Sequence, residues 1–465
     1  MIYANFFAFL IENFLKNRIL TCLPFVANEG QNELITRLGV FLCSHEHRPC
    51  FVLRGYAGTG KSSVVGALVQ ALSQLQQPCV LLAPTGRAAK VLARYANAPA
   101  FTIHKCIYRR ETKGDAFQLG WNRCRNTLFI VDEASMISAD RDNNVFGSGS
   151  LLDDLIQYVF SGEGNRLLLI GDDAQLPPIG HEHSVALDTE YLQGYGLYLY
   201  SGYLTEVARQ AADSGILNNA TRIRCLQYNH HTEPIQAAPD VHLLDGQQMV
   251  EAIDRSFRTV GEEETIILTR SNRRTNLYNQ GVRSQLLSRE GILTGGDRVM
   301  ISRNNYFWTE QYEDMPFLAN GDILEVTRLR NEREMYGFHF ADAELRSIDY
   351  TWEIQATVWL DSLTTDSPEV SYRLQRELFD LIAQDYPEIK NRRELRDKIM
   401  ASPYYNALQI RYAYAVTCHK AQGGQWKHVF IDRNGLPEGA EPIQDIDRWL
   451  YTAITRATEQ LYILK

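Results

Sequence analysis

Paired cysteines are missing from this chain. Eight cysteines lie at 22, 43, 50, 79, 106, 124, 225 and 418, with no C-x-x-C among them. That excludes a disulfide framework and a cysteine zinc site, and fits a reducing compartment. The histidine pairs His45/His47, His181/His183 and His230/His231 lack the spacing of a metal signature and read as loop residues. Positive charge is also short: 47 Lys and Arg stand against 56 Asp and Glu, for a net charge of −9. An acidic chain does not coat nucleic acid by bulk charge, although a local basic channel remains open to it. Uninterrupted apolar runs are absent too. Residues 1–25 are rich in apolar side chains, but Glu12, Asn13, Lys16, Asn17 and Arg18 break the run too early for a membrane span or signal peptide. Phe6, Phe7, Leu10, Phe14 and Leu15 recur at helical spacing, which predicts an amphipathic helix docked on the core. A cytoplasmic protein with no membrane partner is expected.

What is present points to a large α/β protein. The length of 465 residues implies two to four domains. Hydrophobic content of 45% is enough for a sizeable core. The chain is organised around Phe51–Ser63. A short apolar run leads into Gly55-Tyr56-Ala57-Gly58-Thr59-Gly60-Lys61-Ser62, which fits the P-loop pattern G-x-x-x-x-G-K-[ST], and a helical pattern follows. Glycines let consecutive N–H groups turn inward onto phosphates, and the next helix adds its positive dipole end. Gly55, Ala57, Gly58, Thr59, Gly60, Lys61, Ser62 and Ser63 are the expected ATP contacts. Lys61 supplies charge for the β/γ-phosphates, and Ser62 a hydroxyl for Mg²⁺.

Around this loop, apolar runs alternate with helical patterns. Phe51–Arg54, Cys79–Ala83, Thr127–Val131 and Arg166–Ile170 read as buried parallel strands, and Val64–Leu75 and Ala88–Ala96 as crossover helices. Ligands of such a sheet lie at the carboxyl ends of its strands. One strand ends in Asp132-Glu133, a Walker B pattern: Asp132 for Mg²⁺, Glu133 as the general base on the attacking water. A second ends in Gly171-Asp172-Asp173-Ala174-Gln175, where Gln175 can donate and accept toward a γ-phosphate and its water. Arg209 follows another short strand.

The segments GYAGTGKS, APTGRAAKVL, LFIVDEAS, GDDAQLPPIG, LTEVARQ, YAYAVTCHKAQGGQW and WLYTAITRAT occur in this order. On them the chain resembles the superfamily 1B DNA helicases, the RecD-like and Dda-like group, from about Gln31 to the C-terminus. The resemblance implies two RecA-like parallel-sheet P-loop NTPase domains with ATP between them, a β-hairpin 1B insert and an SH3-like β-barrel 2B insert. It implies that Gln31 reads the adenine edge, that Arg209 meets the γ-phosphate, and that Arg456 is the finger from the second domain. Pro84, Thr85, Gly86, Thr102, His104 and Lys105 resemble DNA contacts, as do Thr417, His419 and Lys420. Gln422 and Gly423 resemble the ATP side of the same motif. Family members carry an acid where this chain has Gln425, which puts the ribose contact in doubt.

The implied division is residues 1–105 and 127–212 for the ATP-binding domain 1A and 106–126 for the 1B pin. Residues 213–296 and 405–465 would form domain 2A, and 297–404 domain 2B with a helical extension. The residues themselves support the inserts. Tyr108–Asn126 carries a Lys-Gly-Asp turn between short runs, and is basic through Arg109, Arg110, Lys113, Arg123 and Arg125. Thr265–Leu268 reads as a strand and Asn272–Leu287 as an amphipathic helix. Arg298–Ser302, Asp322–Leu329, Met335–Phe340 and Ile354–Leu360 read as strands without helices between them. Gln375–Asp397 reads as charged helices, and the chain returns to the sheet near Arg411. Tyr306-Phe307-Trp308 and Tyr404-Tyr405 read as packing. The activity implied is ATP-dependent 5′→3′ translocation on single-stranded DNA with unwinding at duplex junctions, by a monomer that works with single-strand-binding, replication or repair proteins. A nucleotide-switched binding module and an RNA helicase are the alternatives.

Overall fold

Alternating apolar runs and helical periods in the first half of the chain build a six-stranded parallel sheet. A computed structural model describes residues 2–109, 117–140, 147–207, 213–229, 235–309, 317–364, 368–433 and 443–464. In chain order, α1 (Ile2–Cys22) and α2 (Glu29–Cys43) lead to β1 (Pro49–Gly55), α3 (Lys61–Gln74), β2 (Cys79–Ala83) and α4 (Gly86–Ala96). Then come β3 (Ala100–Thr102), α5 (Ile103–Ile107), β4 (Tyr108–Arg109), β5 (Gln118–Leu119) and β6 (Leu128–Val131). The run ends with α6 (Leu151–Ser161), β7 (Arg166–Gly171), α7 (Thr189–Gln193), β8 (Tyr198–Leu204) and α8 (Gly215–Asn229).

The sheet order is β3-β2-β6-β7-β1-β8, and every neighbouring pair is parallel. Helices cover both faces, so the interior strand β1 is apolar throughout its middle: Cys50, Phe51, Val52 and Leu53 are fully buried. Leu34, Ile35 and Leu38 of α2 and Val64 and Leu68 of α3 pack on it. The expected strands and crossover helices are all present. β4 and β5 pair antiparallel, as the expected hairpin requires. Its turn, with Arg110 and Lys113, lies outside the described residues, as do His230, His231 and Arg209.

The N-terminal helix forms but does not dock as expected. Leu10 and Phe14 are about half exposed, while Ile19 and Leu23 are buried. The side chains of Phe6 and Phe7 lie outside the described residues. Gly39 of α2 lets the backbones approach so closely that a Cβ there would sit 3.2 Å from the Glu12 carbonyl oxygen. Of the described residues of the expected stripe, Leu10 and Phe14 stay exposed, and the burial falls instead at Ile19 and Leu23.

In the rest of the chain β9 (Val241–Leu244), α9 (Gly246–Thr259), β10 (Thr265–Thr269) and α10 (Asn272–Gly281) precede β11 (Arg298–Ile301), β12 (Ile323–Met335), β13 (Phe338–Ser347) and β14 (Glu353–Trp359). α11 (Pro368–Ala383), α12 (Arg392–Met400), β15 (Leu408–Tyr412), β16 (Ala415–Thr417), β17 (Trp426–Asp432), α13 (Ile443–Ile454) and β18 (Ala457–Leu464) complete it. One sheet has the order β16-β10-β17-β18-β9, with β10 parallel to β16 and β17. β11 to β15 close into a barrel around Val299, Leu324, Val326, Leu345, Val358 and Ile410.

Three expectations change here. The strand placed at Met335–Phe340 is a hairpin corner: Tyr336 and Gly337 take φ of 55° and 75°, a type I′ pair that joins β12 to β13. β12 runs to Met335 because the charged stretch Arg328–Glu334 forms an exposed ribbon. The helix expected to Leu287 stops at Gly281, and Val282–Leu286 makes one π turn that tucks Arg283 onto Asp297. Arg411 is still in the barrel, whose closing strand β15 lies beyond residue 404; the chain rejoins the parallel sheet only at Ala415.

The chain divides into two compact units. The first runs to Val241 and also takes in Gln422–Gln425 and the segment from α13 to Ala457; the second holds His242–Ala421, the strand from Trp426, and Thr458 onward. α8 and α13, which the resemblance assigns to the second RecA-like domain, pack on each other within the first unit.

Candidate nucleotide site

The loop after β1 turns because Gly58 and Gly60 adopt φ of 75° and 86°, where a side chain is strained. Space is tight as well: a Cβ on Gly60 would lie 2.5 Å from Gln31 Nε2, and one on Gly58 2.9 Å from Leu217 Cδ1. Gln31, 1% exposed, braces this loop. Its Nε2 donates to the Thr59 carbonyl at 3.1 Å, and its Oε1 accepts from Asn28 N at 3.1 Å in the capping box of α2. Thr59 Oγ1 donates back to the Tyr56 carbonyl at 2.8 Å. Lys61 Nζ donates to the carbonyls of Gly55 at 2.5 Å and Tyr56 at 2.8 Å, and stands 4.0 Å from Asp172 Oδ2. Ser62 is exposed at the helix start, with Ser63 beside it.

Three carboxyls at strand ends share this neighbourhood. Asp132 follows β6; its Oδ2 accepts from Tyr95 OH at 2.6 Å and its Oδ1 from Glu133 N at 2.9 Å. Glu133 takes the left-handed conformation, φ 52°, and such strain in a non-glycine residue gathers at functional sites. Asp172 follows β7; its Oδ2 accepts from Tyr451 OH at 2.7 Å and its Oδ1 from Ala174 N at 3.0 Å. Burial pushes all three carboxyls above the usual carboxylate range. The Tyr95 bond opposes this for Asp132, Arg456 for Glu133, and Lys61 for Asp172.

Arg456 completes the group. It is 3% exposed, its Nη1 is 3.8 Å from Glu133 Oε1, and its closer partners are neutral: the carbonyls of Thr452 and Gly424 and the hydroxyl of Thr455. α13 adds two more links. Tyr451 OH accepts from the P-loop amide of Ala57 at 2.8 Å, and Thr452 Oγ1 accepts from Leu176 N at 2.9 Å. Gln422 Nε2 donates to the Leu176 carbonyl at 2.7 Å. Gly423, at φ 72°, lies against α4, where a Cβ would meet Ala88 at 2.7 Å. The Gln425 carbonyl accepts from Arg87 Nη2 at 3.1 Å. Gln175 is buried, and its Oε1 has no hydrogen-bond partner among the described residues.

The expected DNA contacts fall in three places. Thr85, after Pro84, caps α4 by accepting from Ala88 N at 3.2 Å, with Gly86 buried behind it. Thr102 caps α5 in the same way for Lys105 N, and Lys105 lies over the half-exposed ring of Phe101. His104 is pushed down to about 4 by burial and is therefore neutral. In the second unit Thr417 ends β16, and burial lowers the pKa of His419, helped by Arg270. Burial, then the charge of Arg411, brings Lys420 down to about 8. Tyr306-Phe307-Trp308 and Tyr404-Tyr405 pack as expected; Trp308 Nε1 donates to the Asn406 carbonyl at 2.8 Å.

Two family models match in chain order. One, described as an AAA domain, matches residues 27–225, and the other, a UvrD-like helicase C-terminal domain, matches residues 412–464. Together they take in more than half of the chain, and both matched segments contribute to the cluster around Lys61. The chain carries an AAA domain followed by a UvrD-like helicase C-terminal domain, in keeping with its resemblance to the superfamily 1B helicases. Among its relatives is the uncharacterized protein MJ1519 of Methanocaldococcus jannaschii, 22% identical over 89% of this chain and 36% of that protein. Another is the ATP-dependent RecD2 DNA helicase of Deinococcus radiodurans, 32% identical over 28% of this chain and 16% of that protein. A crystal structure of the Pif1 helicase from Bacteroides in complex with ADP-AlF3 and ssDNA aligns with a TM-score of 0.48 at 17% identity, covering 94% of this chain and 92% of that one. The chain thus spans well under two thirds of the length of these two relatives.

Within this helicase-like chain, sequence reasoning passed over Asp172, Tyr451, Tyr95 and Thr452. The signal for Asp172 lay in the sequence: it stands beside Asp173 at the end of a predicted strand, a position where ligands bind. Magnesium fits the donor set. Asp132 supplies a carboxylate and Ser62 a free-standing hydroxyl, the sparse protein share typical of an ion held mainly by phosphates. No cluster of three His, Cys, Asp or Glu able to hold a metal alone occurs among the described residues.

Proposed function

We propose that this chain is an ATP-dependent DNA helicase that moves 5′→3′ along single-stranded DNA and unwinds duplex junctions. The observation that carries this is the placement of Arg456 beside Glu133 in the pocket of Lys61. A nucleotide switch needs no such arginine. The loop amides from Gly55 to Ser63 and the Lys61 ammonium bind the β/γ-phosphates. Asp132 and Ser62 would hold Mg²⁺, which would neutralise charge on the phosphate oxygens. Glu133, its carboxyl raised by burial, orients the attacking water and takes its proton. Gln175 fixes that water, and Arg456 neutralises the charge that grows in the transition state. Arg209 serves the same phosphate, and Gln31 and Gln422–Gly423 the remainder of the nucleotide.

The polynucleotide meets Pro84–Gly86, Thr102–Lys105 and Thr417–Lys420. Cations gathered around Lys420, with Arg411 and Arg270 close to the motif, suit a phosphodiester backbone. The domain division set out for the family, 1A, 1B, 2A and 2B, is part of the proposal, as are a cytoplasmic location, a monomeric state and partner proteins of replication or repair.

The test is unwinding of paired duplexes with a 5′ or a 3′ single-stranded tail, with and without ATP. Opening of the 5′-tailed duplex alone, in the presence of ATP alone, is expected. Preference for the 3′ tail overturns the polarity, and ATP-dependent binding without unwinding overturns the motor. Stronger ATPase stimulation by RNA than by DNA of equal length overturns the substrate.

A further inference from the structure

The first unit holds a polar cavity of about 340 Å³ beside the nucleotide cluster. Asp172, Gln175, Ser135, Arg54, Ser184 and Arg448 are among the residues that line it. Its wall carries an unusual surplus of unanswered donors. Arg448 is 8% exposed; it donates to the Glu182 carbonyl, but its Nε is buried without a partner and no carboxylate pairs with it among the described residues. Arg54, half-buried at the end of β1, lies over the Tyr203 ring at 5.4 Å, and its Nε is likewise unpartnered. The hydroxyls of Ser135, 1% exposed, and Ser184 are also buried without a partner among the described residues.

Acids in the same wall do not meet this demand. Asp172 is engaged by Lys61 and Tyr451, and Asp173 accepts from Tyr203 OH at 3.2 Å. Asp188 and Glu190 are exposed and screened by water. Buried guanidinium groups are stable only with an anion or a full set of acceptors, and a planar guanidinium suits a tetrahedral oxyanion. Asp172 belongs to both the cavity and the cluster around Lys61, so the cavity adjoins the residues to which the ATPase reading assigns the γ-phosphate.

We propose that this cavity binds inorganic phosphate, the product that leaves the nucleotide site. The inference rests on the ATPase reading above, yet its test needs neither ATP nor DNA. Equilibrium dialysis of the full chain against radiolabelled inorganic phosphate measures it directly. Wild type binds, Arg54→Gln weakens binding about tenfold and Ser184→Ala about threefold, as expected for one charged and one neutral donor. Lys61→Ala retains the binding, because the P-loop is not the site. Ser184→Ala stands in for Arg54→Gln if the latter does not fold. Absence of binding by the wild type overturns the proposal. So does loss in Lys61→Ala with Arg54→Gln and Ser184→Ala unchanged, or displacement of phosphate by a single-stranded oligonucleotide. Failure of DNA-stimulated ATP hydrolysis in the wild type would instead overturn the helicase reading.

Discussion

Each unit buries a cluster of charge, and the two are built in opposite ways. In the second unit Asp297 is fully buried, and Arg283 reaches it through Nε at 2.9 Å and Nη2 at 2.8 Å. Arg289 Nη1 at 3.1 Å, Thr294 N at 2.8 Å and Tyr414 OH at 3.0 Å fill the remaining acceptor sites. Burial alone would raise this carboxyl, but these bonds, led by Arg283, hold it below the usual range. In the first unit Asp172 is as deeply placed and Asp132 and Glu133 are half-buried, yet their cations stand off: 4.0 Å from Lys61 to Asp172, and 3.8 Å from Arg456 to Glu133. There burial wins, and all three acids lie above the usual range. A saturated cluster pins a turn to a barrel strand. An unsaturated one keeps cations and acids available for a triphosphate and its water.

Substitutions should separate the two designs. The largest effect is expected at Arg456. Arg456→Ala should cut ATP turnover by about 10³–10⁵-fold with nucleotide affinity nearly intact, since a finger acts mainly in the transition state. Steady-state kinetics beside equilibrium binding checks this, and equal loss of both would make Arg456 a ground-state ligand. Glu133→Gln should lower turnover by about 10²–10⁴-fold, the range for a lost general base. In the second unit Asp297→Asn should leave the buried Arg283 and the half-buried Arg289 short of an anion and destabilise the fold by about 3 kcal/mol, read by denaturant unfolding.

Asp132→Asn should do the reverse: abolish turnover and raise the melting temperature at pH 7. A carboxyl whose folded pKa is raised favours folding below its unfolded value and loses that contribution as pH climbs through the folded value. At pH 7 it therefore weakens the fold, and the amide removes the burden. Asp297 is the opposite case. Its contribution is full above the unfolded carboxylate value and fades only as acid drives the pH through its depressed folded value. A melting temperature that falls in both variants would erase the contrast. The smallest effect belongs to the surface. Arg258→Gln breaks an exposed pair with Asp254 and should change stability by less than about 0.5 kcal/mol in the same unfolding assay.

Local pattern made the phosphate loop and the Asp132-Glu133 strand end readable, because glycine spacing and an apolar run with acids after it are contiguous in the chain. Tyr451 was hidden among 24 tyrosines, and only the packing of α13 brings its hydroxyl to Ala57 and Asp172. Asp172 and Asp173 look alike in sequence; burial of one and partial exposure of the other separates them. Turn residues announced the barrel, but not its closure. RYAYAVT joins the end of one strand to another in a different sheet, and nothing local marks the break at Ala413-Tyr414. At α1 an apolar stripe was present, but its Leu10 and Phe14 are half-exposed and the burial falls at Ile19 and Leu23, which the helical period alone did not mark.

The most direct measurement is ATP hydrolysis by the wild type and by Lys61→Ala, each with and without single-stranded DNA. The account predicts hydrolysis that rises when DNA is added to the wild type and is absent from Lys61→Ala in both conditions. Turnover unchanged by DNA, or surviving in Lys61→Ala, would contradict it.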